Sequence, residues 1–358
     1  MKLVHAGNVR IGSEGPAFEG LSVDLKSVYA NDLQELIRNC EKQQTDLLLF
    51  SGNLFDHRPS EEELKALDED LSVLTHTRVF IVPGLSDSAG ENDAYWTHEW
   101  KSRVMVFLGD SLQRVHVPEM NAEITCCGYN ENTWPKVRPE KLQRGRKGQF
   151  QILLLPFLGE NDSKEALETY VSRYASDLKF DYVAVGNAVT KRGEGGIPVY
   201  SARSMEQDRF EEEVTAGVFE ATLTNEKKAG NMLQAQLVPP TVNHLNVLRI
   251  KLDPGRTTAE VEQEIRERIA AVGKEEVYQL VLEGEPSASV YYLWEAFREC
   301  GNIAGIIDET ENVPATVSEN TALKRFAQEM SKLPNSKVRT AAMKRGIEAL
   351  IAEQERAK

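Results

Sequence analysis

The sequence is poor in cysteine and has no long apolar run. Its four cysteines form no C-x-x-C pair and are too sparse for a disulfide scaffold, which excludes the small secreted class and favours a reducing cytoplasm. No apolar stretch approaches the roughly 20 residues that span a bilayer. We therefore expect a cytoplasmic protein with no membrane partner.

Positive charge is also in short supply. The 358 residues include 56 Asp and Glu against 42 Lys and Arg, a formal net charge of -14. Nucleic-acid surfaces depend on Lys and Arg, which release counterions from phosphates. This balance argues against a broad DNA-binding face and leaves a local basic patch open. The length predicts two or three domains with sizeable cores.

The first ninety residues alternate strand and helix patterns. Short apolar runs predict strands, while apolar residues at helical spacing predict helices that begin near Asp24 and after the Ser60 N-cap. This alternation favours a parallel sheet. The predicted strands span residues 2–6, 47–50 and 78–82, and the first helix spans 24–42.

Later strands follow with fewer helices between them. Several short strands between residues 104 and 128 predict a second sheet or an antiparallel edge. Buried strands are predicted at 149–155 and 180–185, with a helix at 163–175 between them. Three further strands, at 197–200, 216–224 and 232–237, are expected to close this domain.

The proline pair Pro239-Pro240 predicts a linker. Beyond it the patterns predict a small β-α-β-α-β module with elements at 245–252, 257–272, 277–283, 287–300 and 303–307. From Ser318 the chain is predicted to be helical and holds nine Lys or Arg and five Glu, a net charge of +4. The predicted domains are 1–238, 241–313 and 318–358.

Four predicted strands end in a similar way, with a small residue followed by polar or turn-forming residues. Ligands of α/β sheets gather at the carboxyl ends of the strands, so these four segments are the candidate site. They are Gly7-Asn8-Val9-Arg10, Gly52-Asn53, Gly84-Leu85-Ser86-Asp87 and Gly186-Asn187-Ala188-Val189.

Five segments in this order resemble the calcineurin-like metallophosphoesterases, and within them the SbcD-type exonucleases of DNA double-strand-break repair, including the YhaO-like bacterial branch. The segments read HAGNVRIGS, DLLLFSGNLFD, VFIVPGLSD, ILLLP and FDYVAVGNAV. The resemblance covers roughly residues 1–240. It implies an α/β fold built as a four-layer αββα metallophosphoesterase sandwich, with a small α/β capping domain and a helical C-terminal tail.

Members of that family hold two Mn-like cations between Asp and His side chains, and the cations activate water against a phosphodiester. Here every corresponding position is changed, so the resemblance implies no catalytic residue, no metal and no cofactor. The six histidines of the chain all lie elsewhere. The residues at the changed positions are Asn8 and Arg10 in place of the Asp and His of D-x-H, Asn53 in place of the bridging aspartate, Leu85 and Ser86 in place of the Asn and His of G-N-H-D, Pro156 in place of a histidine, and Asn187 and Val189 in place of the two histidines of G-H-x-H.

The polar residues that remain leave three interpretations open. In the first, the asparagines stabilise turns at strand ends, where Asn is common. In the second, Asn8, Arg10, Asn53 and Asn187 form a metal-free pocket for a phosphate or another anion, a task that suits arginine. In the third, the site is an active hydrolase with a relocated metal. For Asp56 and His57 we expect loop hydrogen bonds rather than ligation.

The resemblance implies a catalytically inactive SbcD-type homologue, a pseudoenzyme that serves as a structural or regulatory subunit in DNA repair or processing. Its expected partner is an SMC-like coiled-coil ATPase, which the basic tail would contact through its apolar stripe. DNA binding and homodimer formation stay open. The alternatives are an active Mn-dependent DNA exonuclease or phosphoesterase, and a metal-free phosphate- or nucleotide-binding module.

Overall fold

The computed structural model describes most of the chain up to residue 310. Its contacts divide the chain into two compact units, made of residues 1–17, 24–209 and 213–243, and of 18–23, 210–212 and 244–358. The described residues are 1–18, 21, 23–90, 93–108, 112–129, 149–156, 180–186, 199–202, 204–211, 216–226, 230–286 and 294–310, with a few single positions beyond them.

The first unit is a mixed α/β body. Its described helices are α1 (Leu25–Gln43), α2 (Glu61–Leu71) and α3 (Ala94–Thr97). Its described strands are β1 (Lys2–Ala6), β2 (Leu47–Ser51), β3 (Arg78–Val82), β4 (Val104–Val106), β5 (Gln113–Val117), β6 (Ala122–Cys126), β7 (Phe150–Leu155), β8 (Tyr182–Gly186), β9 (Val199–Ala202), β10 (Val218–Glu226) and β11 (Gly230–Val238).

Six of these strands form one sheet in the order β11-β10-β1-β2-β3-β4. The strands β1 to β4 are parallel, as their alternation with helices predicts. The hairpin of β10 and β11 adds an antiparallel edge next to β1. The predicted parallel sheet is therefore confirmed, and β10 and β11 extend it.

The other five strands form a second sheet in the order β5-β6-β7-β8-β9. All pairs in it are parallel except β5 with β6. Residues 104–128 were predicted to form a second sheet or an antiparallel edge, and each prediction is confirmed in part. The strands β5 and β6 form an antiparallel pair at the edge of the second sheet, whereas β4 completes the edge of the first sheet.

The helices α1 and α2 begin where their capping residues predict. The Asp24 side chain accepts a hydrogen bond from the Ser27 amide, and Ser60 forms a capping box with Glu63. Both predicted helices are confirmed. The predicted helix 163–175 lies outside the described residues.

The first sheet is buried on both faces, which explains its continuous apolar strands. One face packs on α1 and α2, and the opposite face shares a core with the second sheet. The face toward the helices includes Leu48, Phe50, Val79 and Ile81 against Leu33, Ile37, Leu64 and Leu67. The face toward the second sheet includes Leu47, Leu49, Phe80 and Val82 against Ile124, Ile152, Leu154 and Tyr182.

The second unit contains a three-stranded parallel sheet. The order is β12-β13-β14, and α4 begins with a capping box between Thr257 and Glu260. The predicted strands and the first helix of this module are confirmed. Of the predicted helix 287–300, the structure describes α5, and the tail 318–358 lies almost wholly outside the described residues. The elements are β12 (Leu245–Leu252), α4 (Thr258–Val272), β13 (Val277–Gly284), α5 (Trp294–Arg298) and β14 (Ile303–Asp308).

Among the helices that the structure describes, none is both long enough and apolar enough to cross a bilayer.

Candidate functional site at the strand ends

The carboxyl ends of β2, β3, β7 and β8 meet at one point. A Cβ atom at Gly52 would lie 2.6 Å from the Cβ of Pro156, and one at Gly84 would overlap the Asn53 amide. A Cβ at Gly186 would overlap the carbonyl oxygen of Ser51. Because β2 and β3 belong to one sheet and β7 and β8 to the other, the glycines let the two sheets touch here with backbone against backbone.

This close approach gives a first testable expectation. Replacing Gly52 with alanine should lower the free energy of unfolding by about 2–3 kcal/mol, because the new methyl group overlaps Pro156 and the backbone φ of +89° is strained for an L residue. Urea denaturation measures the loss. Gly255→Ala is the matched control, since Gly255 has a φ of +91° and nothing within 4 Å. The control should cost about 1 kcal/mol. Equal losses in both variants would show that the overlap is relieved without cost.

The loops after β1 and β2 are held together through their backbones. The Asn8 amide donates to the Gly52 carbonyl at 3.0 Å, and the Arg10 amide donates to the Asn53 carbonyl at 2.9 Å. Asn8, Arg10 and Asn53 all have left-handed backbone, with φ of 54°, 58° and 48°. Asparagine tolerates this conformation, whereas arginine adopts it at a cost.

The Asn53 side chain is hydrogen-bonded at both ends. Its Nδ2 donates to the Asn8 Oδ1 at 2.9 Å, and its Oδ1 accepts from the Ser86 amide at 3.0 Å. The Ser86 hydroxyl in turn donates to the Phe55 carbonyl at 2.7 Å. The three polar residues therefore tie the loops after β1, β2 and β3 to one another.

The Arg10 guanidinium is paired with a carboxylate. Its Nε and Nη2 donate to the Asp56 Oδ1 at 3.0 and 2.8 Å. The side chains of Arg10 and Asp56 are 40% and 32% exposed, so the pair is screened by water and weak. Asp56 makes a loop hydrogen bond, and so does His57, which pairs with Glu63. The hydrogen bonds expected of these two residues are present, and the absence of metal ligation by them stays a prediction.

The other predicted positions are less polar or lie outside the described part of the chain. Leu85 is 58% exposed, and Pro156 packs against Gly52. Asn187 and Val189 lie outside the described residues, so the proximity of Asn187 to the other three pocket residues stays a prediction.

Asp87 has a structural role that the sequence did not reveal. It is fully buried, and its carboxylate accepts hydrogen bonds from the amides of Gly84, Leu54 and Phe55 at 2.6, 2.9 and 3.2 Å. The Tyr95 hydroxyl donates to it at 3.2 Å. Burial raises the pKa of Asp87, and the four donors oppose the rise. An acidic residue in a turn after a buried strand was the available clue.

His5 was also missed. It lies fully buried on β1, with its Nε2 2.8 Å from the Ser51 Oγ and its Nδ1 3.2 Å from the Tyr182 hydroxyl on the second sheet. Its ring stacks on Phe219. Burial lowers the pKa of His5 to about 3, so the imidazole is neutral at pH 7. It is a polar link between the two sheets.

The donor set does not fit a pair of manganese ions. Such a pair requires bridging carboxylates and neutral imidazoles, whereas Asn8 and Asn53 offer amide oxygens that already accept hydrogen bonds. Arg10 adds a cation at the same place. Within the described ranges, no three Asp, Glu, His or Cys ligand atoms gather at these strand ends.

Comparisons with known proteins identify no family for this chain. No family model matches the chain, and no curated protein matches it. One similar solved structure is described as "GAP50 the anchor in the inner membrane complex of Plasmodium"; it is 12% identical, with 78% of this chain and 96% of that chain covered, and its TM-score is 0.35. A TM-score this low supports no inference about function, so the site is interpreted from its own residues in a mixed α/β protein.

Proposed function

We propose that this chain is a catalytically inactive relative of the SbcD-type exonucleases. It would act in the cytoplasm as a structural or regulatory subunit beside an SMC-like coiled-coil ATPase in DNA repair or processing. The observation that carries the proposal is the hydrogen bonding of Asn53. At the position of the bridging aspartate, its amide donates to Asn8 and accepts from Ser86.

The chemistry of that position explains the loss of activity. A carboxylate can bridge two dications because it has two charged oxygens, whereas an amide has one neutral oxygen. Here that oxygen already accepts a hydrogen bond from the Ser86 amide. The Arg10 charge would also repel a cation placed beside it, even when Asp56 screens part of the repulsion.

The four-layer sandwich is part of the same proposal. Three layers have described counterparts, since α1 and α2 cover one sheet and a second sheet covers its other face. The fourth layer would be the helix predicted at 163–175. The module after Pro240 would be the capping domain, and the basic segment 318–358 would contact the ATPase.

Metal analysis together with an exonuclease assay tests the absence of catalysis. We expect purified protein dialysed against Mn²⁺ to retain no stoichiometric metal, and to leave linear DNA intact in Mn²⁺ buffer. Two bound metals with turnover would contradict the proposal and favour the active exonuclease.

Affinity purification from the source cells tests the proposed partner. Recovery of this protein without a coiled-coil ATPase would argue against that partner. A chain ending at residue 317 is the control for the tail.

Restoring a single ligand should not restore the metal centre. We expect Asn53→Asp to gain neither Mn²⁺ binding nor DNA cleavage, because the other ligand positions stay changed. The variant should also lose about 1–2 kcal/mol of stability, since a carboxylate oxygen would replace the amide that donates to the Asn8 Oδ1. Calorimetry with Mn²⁺ and urea denaturation measure the two effects.

Asn121→Asp is the matched control for that variant. Asn121 also has left-handed backbone, with φ of 49°, and ends a short turn on the surface. It should change stability little and bind no metal. Mn²⁺-dependent cleavage by Asn53→Asp would mean that the other four motifs are wrongly aligned.

A further inference from the structure

The strand β11 forms one edge of the first sheet, and no described strand pairs with its outer side. It is nine residues long, and its nine pairs with β10 run without a shift in register. Along the edge of a sheet, every second residue directs an unpaired N–H and C=O group outward. The outer side of β11 therefore offers a regular row of hydrogen-bonding groups to another strand.

β11 also lacks the features that protect an edge strand from pairing. It contains no charged residue and no proline, in a chain that is 27% charged. Natural edge strands are usually protected by charge, by proline, by a bulge or by being short. The other sheet edges that the structure describes fit this rule, because β4 has three residues, β9 has four, β5 contains Arg114, β12 contains Arg249 and Lys251, and β14 ends at Asp308.

The sequence of β11 reads the same in both directions around Ala235. The palindrome is Leu233-Gln234-Ala235-Gln236-Leu237. If two such strands pair antiparallel across a two-fold axis at Ala235, Leu233 of one copy faces Leu237 of the other, and Gln234 faces Gln236. Every facing pair in this segment then consists of two identical residue types, which is the self-complementarity that a two-fold interface requires.

Both faces of the strand suit this pairing, because residues opposite each other in an antiparallel pair project on the same face. Leu233 and Ala235 already pack against the core that the two sheets share, so the leucine pairs would lengthen that core. Gln234 and Gln236 are exposed on the other face, and their amides carry both donors and acceptors, so each can bond the other. Neither face opposes like charges, in a chain whose net charge is -14.

We propose that two copies of this chain pair through their β11 strands, antiparallel and in the register that is centred on Ala235. The two first sheets would then form one continuous sheet across the two-fold axis. Pro239, which follows the strand and has no N–H group, would end the ladder on either side. The inference does not depend on the proposed function, because it uses neither the metal positions nor the ATPase.

Sedimentation velocity of the full-length protein over a range of concentrations tests the association. We expect a concentration-dependent species of twice the monomer mass. Hydrogen exchange should locate the contact, with slower exchange within residues 231–238 in concentrated than in dilute protein. A single species of monomer mass at every concentration would overturn the inference, and so would a dimer whose formation leaves exchange in β11 unchanged.

Two double variants at exposed positions test the register. Gln234→Lys with Gln236→Lys places lysine opposite lysine twice, and should raise the dissociation constant of the dimer about tenfold or more. Gln234→Glu with Gln236→Lys is the matched control, since it places glutamate opposite lysine twice and should keep the dissociation constant within about threefold of the parental value.

Both variants should keep the thermal midpoint of the monomer. Within the sheet, position 234 faces Thr222 and position 236 faces Glu220, so neither variant opposes like charges in its own chain. Equal dissociation constants in the two variants would overturn the inference. If both associated like the parent, another surface would form the dimer, and if both were equally weakened, the strands would pair in another register. Hydrogen exchange of the parent protein needs no substitution and decides independently of how the variants fold.

Discussion

Replacing Asp87 with alanine is expected to lower the free energy of unfolding by about 3–5 kcal/mol. The carboxylate is fully buried, and it accepts hydrogen bonds from three backbone amides and from the Tyr95 hydroxyl. Alanine would leave those donors without partners, and a buried unsatisfied donor costs about 1–3 kcal/mol. Neighbouring losses do not simply add, because the freed loops relax together.

Urea denaturation at pH 7 measures this loss of stability, and two further variants are expected to give smaller losses. Tyr95→Phe removes one of the four donors and should cost about 1 kcal/mol. Asp87→Asn keeps one acceptor oxygen and should fall between Tyr95→Phe and Asp87→Ala. If alanine cost no more than Tyr95→Phe, the loops after β2 and β3 would be held by their apolar packing, and the carboxylate would be dispensable.

Acid should destabilise the protein through His5. The pKa of His5 is lowered from 6.5 to about 3 by burial, so the unfolded chain binds the proton that the folded chain excludes. The contribution of the neutral imidazole is fully present above pH 6.5, and it is lost as the pH falls from 6.5 toward 3. The whole shift corresponds to about 4–5 kcal/mol.

The contribution of His5 to the pH dependence of stability can be isolated by comparing urea denaturation midpoints at several pH values between 7 and 4. His5→Gln cannot titrate in this range, so its stability should fall less steeply with acid than that of the parent protein. Parallel slopes in the parent and His5→Gln would place the acid sensitivity elsewhere.

Local patterns predicted most of the secondary structure in the described ranges. The run Leu47 to Phe50 is apolar throughout because β2 is buried on both faces, and Ser60 with Glu63 marks the start of α2 through a capping box. Within each sheet, the closeness of the strand ends also followed from general rules, since the carboxyl ends of parallel strands lie at the same edge of a sheet. These features depend on residues close together in sequence.

The contacts that organise the site depend on residues far apart. His5 meets Tyr182 across 177 positions, and Asp87 meets the Leu54 amide across 33. Periodicity shows which face of an element is buried, but it does not show which side chain lies opposite. The pairing of Arg10 with Asp56, 46 positions along the chain, was hidden for the same reason.

The place of β1 in its sheet has a consequence for the rate and order of folding. One edge of β1 pairs with β2, about 40 residues later, but the other pairs with β10, where Lys2 faces Thr222. The terminal amino group also donates to the Leu223 carbonyl. Closing a loop of this length is slow, and strand pairing at such a separation delays folding. During synthesis the outer edge of β1 therefore waits until residues 218–226 have left the ribosome, and through that interval it is an open edge to which another chain can add.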